Sequence, residues 1–240
     1  MSGAPRGEIA HQYLWRGVEF AGDDVQISVL IQIKDRTGAA AEGSHDRYPA
    51  CSAFADLMHE ALRVRRHLNA QALGYAYLYK KTIRLTDDRP EMVLDHSLKN
   101  TGKLPIKSVV YNHNFTLFDR LPTSDITVTV PYEIKSTRLP DANAAVITGK
   151  QFTYAKAVEN TERVAGGLQG FGPTASDNDF KIENRKAGTG IRIQGDRPLQ
   201  NATVWSIRSV VAVEPFIEVA ADPGKDFTWK STYTFYTLPK

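Results

Sequence analysis

The strongest constraint on the fold is the alternation of apolar and polar residues along most of the chain. A period of two places successive side chains on opposite faces of an extended strand, so it predicts half-buried strands rather than helices. The segments with this pattern are Val25–Ile33, Tyr75–Leu85, Met92–Leu98, Ile106–Phe118, Ile126–Val130, Gly190–Ile193, Thr203–Val213 and Phe227–Tyr236. Turn residues (Asp, Asn, Gly and Pro) separate them, which is typical of an antiparallel sandwich or barrel.

Residues 50–73 follow a different pattern. The apolar residues Phe54, Leu57, Met58 and Ala61 recur at helical spacing, so one short helix around 52–66 stays open. The later part, Leu62–Leu68, also alternates and precedes a turn into the next predicted strand. We favour a strand for this later part.

The length of 240 residues fits one domain, since all-β folds often reach about 200–250 residues in a single domain. We predict one β-sandwich domain over residues 1–240, with residues 1–70 atypical. No run of 18 apolar residues occurs, so a transmembrane helix is excluded, and we expect no membrane partner.

Charge and cysteine content narrow the class of protein. The net charge is +3 and the basic residues are scattered, so no nucleic-acid partner is expected. Cys51 is the only cysteine, which excludes an intrachain disulfide and cysteine-based zinc sites, and the histidines show no metal-ligand spacing. The first residues contain no apolar segment of a secretory signal. We therefore expect a cytoplasmic protein without a bound metal.

The segment 109–117 holds the first candidate for chemistry. On a strand, Tyr111, His113 and Phe115 share one face, and Asn112 and Asn114 share the other. Histidine titrates near neutral pH, so a partly buried one can donate or accept a proton. From these residues alone, a structural histidine is the favoured interpretation.

The second candidate lies in the segment 211–217, where Glu214 interrupts an apolar strand. A carboxylate there must be paired, solvated in a groove or protonated. Pro215 removes a backbone donor, so the strand is at an edge or is interrupted at this point. The alternative to a functional site is a salt bridge with Arg208.

Two of these segments, with their surroundings, resemble those of aldose 1-epimerases, also called galactose mutarotases. The stretch 91–115 contains Asn112-His113-Asn114-Phe115, which is similar to the Asn-His-x-Phe segment of that family. The stretch 213–236 is similar to its closing segment, in which a Glu precedes a Pro-Gly turn and a Thr-x-Tyr-x-Phe strand. The resemblance covers about residues 74–240.

The resemblance implies an all-β antiparallel supersandwich of the galactose mutarotase-like type, and it implies roles for single residues. His113 falls on the histidine that protonates the ring oxygen of the sugar, and Glu214 on the carboxylate that takes the anomeric proton. Asp177 and Asp179 fall on a segment that binds sugar hydroxyls. To these we add three expected substrate-binding residues: Tyr111, Asn112 and Trp205. The implied reaction needs no cofactor.

The N-terminal region carries neither the arginine nor the second histidine motif of the family, so we expect a shortened, divergent member. Three functions stay open: interconversion of sugar anomers, non-catalytic carbohydrate binding, and a structural or assembly role for a degenerate homologue, with a homodimer as one expected form. Tyr75, Tyr77 and Tyr79 fit a sugar-binding face or an ordinary sheet face equally well. His96 is interpreted as a packed histidine.

Overall fold

The computed structural model describes residues 12–15, 31–34, 62–70, 73–86 and 89–239. These residues form the following strands in chain order: β1 Gln12–Trp15, β2 Ile31–Lys34, β3 Leu62–Ala70, β4 Tyr75–Leu85, β5 Glu91–Asn100, β6 Ile106–Tyr111, β7 Asn114–Phe118, β8 Ile126–Thr129, β9 Ala145–Thr148, β10 Gln151–Tyr154, β11 Val164–Gly167, β12 Asp179–Asn184, β13 Thr189–Gly195, β14 Leu199–Ile207, β15 Val210–Ala221 and β16 Asp226–Thr237. Two short 3-10 turns lie at Thr123–Asp125 and Ala175–Asp177.

The strands are arranged in two sheets. The nine-stranded sheet has the order β3-β4-β5-β16-β13-β12-β8-β10-β9, and all its pairs are antiparallel. The seven-stranded sheet has the order β1-β2-β7-β15-β14-β11, with β6 also paired to β15. The pair of β2 and β7 is parallel, while the other pairs of this sheet are antiparallel. The predicted all-β, antiparallel sandwich is confirmed.

The core lies between the two sheets. Val128, Ile182 and Ile191 of the nine-stranded sheet pack in one cluster with Val204 and Val213 of the seven-stranded sheet, and all five are fully buried. Burial of each such side chain contributes about 1.5–3 kcal/mol. A second cluster at one end of the sandwich joins the two sheets through residues that include Leu98, Trp229, Ile217 and Val219.

The ambiguous segment resolves into a strand where the structure describes it. Leu62–Ala70 forms β3 and pairs antiparallel with β4 along its whole length. A helix reaching residue 66 is therefore incorrect from residue 62 onward, because the period-two alternation of this part is met by strand pairing. Residues 52–61 lie outside the described residues, as does the greater part of the predicted strand Val25–Ile33.

The seven-stranded sheet has a break beside its central strand, β15. The central strand β15 pairs with β7 as far as Val213 and Asn114, and with β6 from Phe216 and Tyr111. Residues 112 and 113 form a break between β6 and β7. Pro215 lies opposite this break, where a missing backbone donor costs no hydrogen bond. The strand β15 itself runs unbroken through Pro215 at the centre of the sheet, so the expected edge or interruption at Pro215 is wrong for this strand. The break lies instead in the neighbouring segment Ile106–Phe118, which was expected to be one strand and forms β6 and β7.

Within the described residues, no helix has the length and apolar content needed to cross a membrane.

Candidate functional site

The site begins with a row of three polar side chains across the seven-stranded sheet. Glu214 on β15 is the register partner of Thr203 on β14. On its other side lies the break between β6 and β7, which carries His113. His113 is thus brought beside Thr203 and Glu214, which lie on two consecutive strands about a hundred residues further along the chain.

The alternation of β15 determines which face this row occupies. Val213 and Pro215 are buried on the core side, and Glu214 between them points to the opposite face. The row therefore lies on the face of the seven-stranded sheet that is turned away from the nine-stranded sheet.

His113 and Glu214 are in direct contact. The distance from Nδ1 of His113 to Oε1 of Glu214 is 2.5 Å, and the two side chains are 17% and 12% exposed. The contact does not have the angles of a hydrogen bond, since Nδ1 has no hydrogen-bond partner of normal geometry. It is a close contact between the ring nitrogen and the carboxylate. It leaves Nε2 of the ring as the nitrogen that can exchange a proton with a ligand.

The second carboxylate oxygen of Glu214 is also engaged. The hydroxyl of Thr203 donates a hydrogen bond of 2.8 Å to Oε2. A carboxylate held at both oxygens has a fixed orientation, and hydrogen bonds to a charged group are stronger than neutral ones. Glu214 is therefore oriented before any ligand arrives.

Aromatic rings flank the polar row on both sides. On one side the rings of Tyr111 and Phe216 are stacked, with centroids 4.3 Å apart. On the other side the rings of Phe115 and Trp205 lie 4.0 and 5.8 Å from the ring of His113. Such rings offer flat apolar surfaces next to a few polar groups, a composition common in small-molecule sites.

The alternative interpretation of Glu214, a salt bridge with Arg208, does not hold. Arg208 Nε donates to the backbone carbonyl of Asn160, at 3.2 Å. Glu214 instead contacts His113 and Thr203. The structure thus brings His113, Glu214, Tyr111 and Trp205 together on one face, whereas alternation in the sequence placed only Tyr111 with His113.

Asn112 lies on the other side of the same sheet. Its side-chain oxygen accepts a hydrogen bond of 3.1 Å from Lys81 Nζ on β4. Lys81 is only 2% exposed, so this contact is in the interior between the sheets. Asn112 therefore does not share the face of His113, and we do not include it among the ligand-facing residues.

Asp177 and Asp179 are not brought to His113. Asp177 Oδ2 accepts a hydrogen bond of 2.5 Å from the backbone N–H of Gly172 and so closes its own loop. Asp179 on β12 forms a two-pronged pair with Arg192, at 2.8 and 2.5 Å. Phe180 is buried in the core, so by alternation Asp179 lies on the outer face of the nine-stranded sheet, across the sandwich from Glu214.

Sequence reasoning missed Thr203 and Lys81. Nothing in a single sequence marks Thr203, because its role depends on the register of β14 against β15. Lys81 did carry a signal: Lys80 and Lys81 are adjacent in an alternating strand, so one of them has to face the core. His96 is packed as predicted, 3% exposed, with its ring stacked 4.7 Å from the ring of Trp229.

The described residues contain no group of three His, Cys, Asp or Glu side chains placed to hold a metal ion.

Comparisons with known proteins give structural similarity without sequence similarity. No family model and no curated protein match the sequence. Among solved structures, a protein from Synechocystis sp. PCC 6803 matches with a TM-score of 0.53 and 14% identity over 74% of this chain. A GalM/aldose epimerase homologue from C. elegans matches with 0.53 and 14% over 75%. A galactose mutarotase related enzyme from Lactobacillus acidophilus matches with 0.52 and 12% over 75%.

These alignments cover 62%, 66% and 69% of the three known chains, so this chain spans about two thirds of their length. At such low identity the similarity concerns the fold alone. It agrees with the resemblance found in the stretches 91–115 and 213–236. The chain thus has the sandwich fold of galactose mutarotase-like and aldose epimerase-like proteins.

Proposed function

We propose that this protein binds a sugar on the outer face of the seven-stranded sheet and interconverts its two anomers. The observation that carries the proposal is the contact of His113 with Glu214, whose carboxylate is held from behind by Thr203. The fold shared with aldose epimerase-like proteins supports a role in carbohydrate chemistry. The single cysteine fits a reducing compartment, and we place the reaction in the cytoplasm.

The chemistry of a hemiacetal suits an acid and a base that lie side by side. Ring opening takes a proton from the anomeric hydroxyl and gives a proton to the ring oxygen. Both oxygens are bonded to the same carbon, so the two protein groups have to be close neighbours. His113 and Glu214, on adjacent segments of one sheet face, meet this requirement.

Each group has a defined part in the proposed reaction. Glu214 removes the anomeric proton as the carbonyl double bond forms, and the bond from the anomeric carbon to the ring oxygen breaks. His113 delivers a proton to that oxygen through Nε2. After rotation about the bond next to the carbonyl, the same steps in reverse close the ring on the other face. Protons and electrons balance without an added reactant.

The surroundings of the pair favour a sugar as ligand. The rings of Tyr111, Phe216 and Trp205 offer apolar surfaces for the carbon–hydrogen faces of a pyranose. The carboxylate of Glu214 accepts hydrogen bonds from sugar hydroxyls. Lys107, whose ammonium lies 3.2 Å from Glu218, is the only cation on this face of β6, β7, β14 and β15, which supports a sugar without a phosphate group.

The test is anomer exchange measured by NMR or polarimetry on a panel of neutral aldoses, with the pure anomer as starting material. We expect wild-type protein to accelerate exchange of at least one sugar. Loss of a general acid or base costs about 10²- to 10⁴-fold in rate, so His113→Gln and Glu214→Gln should each fall by about that factor.

The matched control is Glu218→Gln, on the same strand and the same face as Glu214 but 40% exposed and paired with Lys107. It should leave the exchange rate unchanged. The proposal fails if wild type exchanges none of the sugars, or if all three variants exchange them at the wild-type rate.

Carbohydrate binding without turnover is the second candidate, and the aromatic rings on both flanks of the row favour it. A binding protein needs those rings but not the pair of charges. In that case Trp205→Ala would abolish sugar binding in calorimetry, Glu214→Gln would leave it intact, and no exchange would be seen.

A further inference from the structure

Lys81 is an unusual residue for the interior of this sandwich. It lies in the middle of β4, is 2% exposed and faces the core next to His96, its register partner on β5. Among the described residues no carboxylate pairs with it. Its ammonium donates a hydrogen bond of 3.1 Å to the side-chain oxygen of Asn112. Burial lowers the pKa of Lys81 to about 8.

A buried ammonium without a carboxylate is costly, and an apolar side chain of the same length would avoid that cost. Buried ionisable groups with specific partners are therefore candidates for a functional part. The partner here is informative, because Asn112 belongs to the other sheet and directly precedes His113.

The backbone around His113 lacks sheet support on the side of β15. The ladder between β15 and β6 ends at Tyr111, and the ladder between β15 and β7 begins at Asn114. Residues 112 and 113 have no register partner between these points. Among the described residues, their backbone takes part in one hydrogen bond, from the N–H of Phe115 to the carbonyl of His113, at 3.2 Å.

Side chains anchor the break from the core side instead. Asn112 is held by Lys81, from β4. Asn114 accepts a hydrogen bond of 2.7 Å from the hydroxyl of Tyr233 on β16, and its side-chain N–H donates to the carbonyl of Val213 at 2.9 Å. His113 thus lies between two asparagines that the nine-stranded sheet fixes from behind.

We propose that Lys81 is a positioning residue, which acts through Asn112 to hold His113 against Glu214. The proposal rests on the function proposed above, since His113 is the group that is positioned. Lys81 itself contacts no ligand. A shift of about 1 Å in a reacting group can cost about 100-fold in rate. Loss of the contact between Lys81 and Asn112 should therefore lower the rate of anomer exchange.

The test compares Lys81→Met with Lys80→Met. Methionine is similar in length to lysine but has neither the charge nor the donor. Lys80 is the adjacent residue of β4 and is exposed, so its replacement is the matched control.

Two readouts are used. The first is the NMR signal of the His113 ring across pH 5–9, assigned by its loss in His113→Gln. The second is the pair kcat and KM for anomer exchange. We expect Lys81→Met to move the His113 titration and to lower kcat at least 10-fold, with KM changed less than 3-fold. Lys80→Met should stay within 3-fold of wild type in kcat.

The NMR signal of the His113 ring distinguishes failure of this proposal from failure of the proposed function. If wild type exchanges no sugar, the function is wrong, while the His113 titration still decides the part of Lys81. An unchanged titration in a folded Lys81→Met protein overturns the positioning proposal. If Lys81→Met does not fold, Asn112→Leu removes the same contact from the other end. Failure of both variants to fold would also overturn it, because the pair would then be a structural link between the sheets.

Discussion

Thr203 and Glu214 are register partners on β14 and β15, and the hydroxyl of Thr203 donates to the carboxylate oxygen that does not contact His113. The strand pairing therefore supplies a second hold on Glu214 from the side opposite His113. Because backbone pairing fixes both Cα positions, the orientation of the carboxylate follows from the register of two strands. This relationship makes Thr203 a target for mutation.

Replacement of Thr203 by valine should lower kcat for anomer exchange by about 10-fold, because a hydrogen bond to a charged group contributes about 1.5–3 kcal/mol. Valine has the same shape, so the core should be unaffected. Thr203→Ser keeps the hydroxyl and should retain most of the activity. If Thr203→Val exchanges sugars as fast as wild type does, the hydroxyl has no part in orienting Glu214.

Replacement of Asp179 by asparagine should leave anomer exchange unchanged, since the carboxylate pairs with Arg192 on the outer face of the other sheet. The side chain of Arg192 is 40% exposed, so loss of this pair should lower the free energy of unfolding by about 1 kcal/mol or less. Urea denaturation and NMR exchange measure the two effects. A 100-fold lower exchange rate in Asp179→Asn would contradict this and show that Asp179 belongs to the sugar site.

Lys81→Met should change how the free energy of unfolding depends on pH. The pKa of Lys81 is lowered from 10.5 to about 8 by burial. Between these values the unfolded chain holds more protons than the folded one, so wild-type stability gains about 1.4 kcal/mol per pH unit from this residue as pH rises. Urea denaturation at pH 7.5 and 9.5 should show this gain in wild type relative to Lys81→Met. Equal pH dependence in both proteins would contradict it.

His96 should affect the free energy of unfolding at acidic pH. Burial, with a smaller contribution from Lys81, lowers the pKa of His96 from 6.5 to about 3. Below pH 6.5 His96 becomes protonated in the unfolded chain but stays neutral in the folded one, so it lowers the free energy of unfolding as pH falls. His96→Gln should lose less free energy of unfolding than wild type between pH 6.5 and 4.5. A steeper loss in the variant than in wild type would show that His96 binds its proton in the folded state.

Local patterns predicted much of the architecture. Alternation marked β4, β5, β8, β13 and β16, but it joined β6 to β7 and β14 to β15 and did not mark β9 to β12. It also placed His113 with Tyr111 and Phe115 on one face. The same rule applied to residues 211–217 placed Glu214 opposite Val213 and Pro215. These predictions succeed because a strand's side-chain period is a property of the local backbone.

The strand period does not predict which residues of other strands lie beside a given face. Two carboxylates, Asp177 and Asp179, were expected beside the sugar, yet one closes its own loop and the other pairs on the far sheet. Lys81 was not singled out at all. Which strands become neighbours depends on contacts between distant parts of the chain, and no local pattern encodes them.

The sequence by itself therefore determined that the chain forms strands, and which way His113 and Glu214 point. Only the tertiary structure decided that these two residues touch, that Thr203 stands behind Glu214, and that Lys81 reaches across the core to Asn112. The physical reason is that the face of a residue follows from local geometry, whereas its neighbours follow from the register and packing of separate strands.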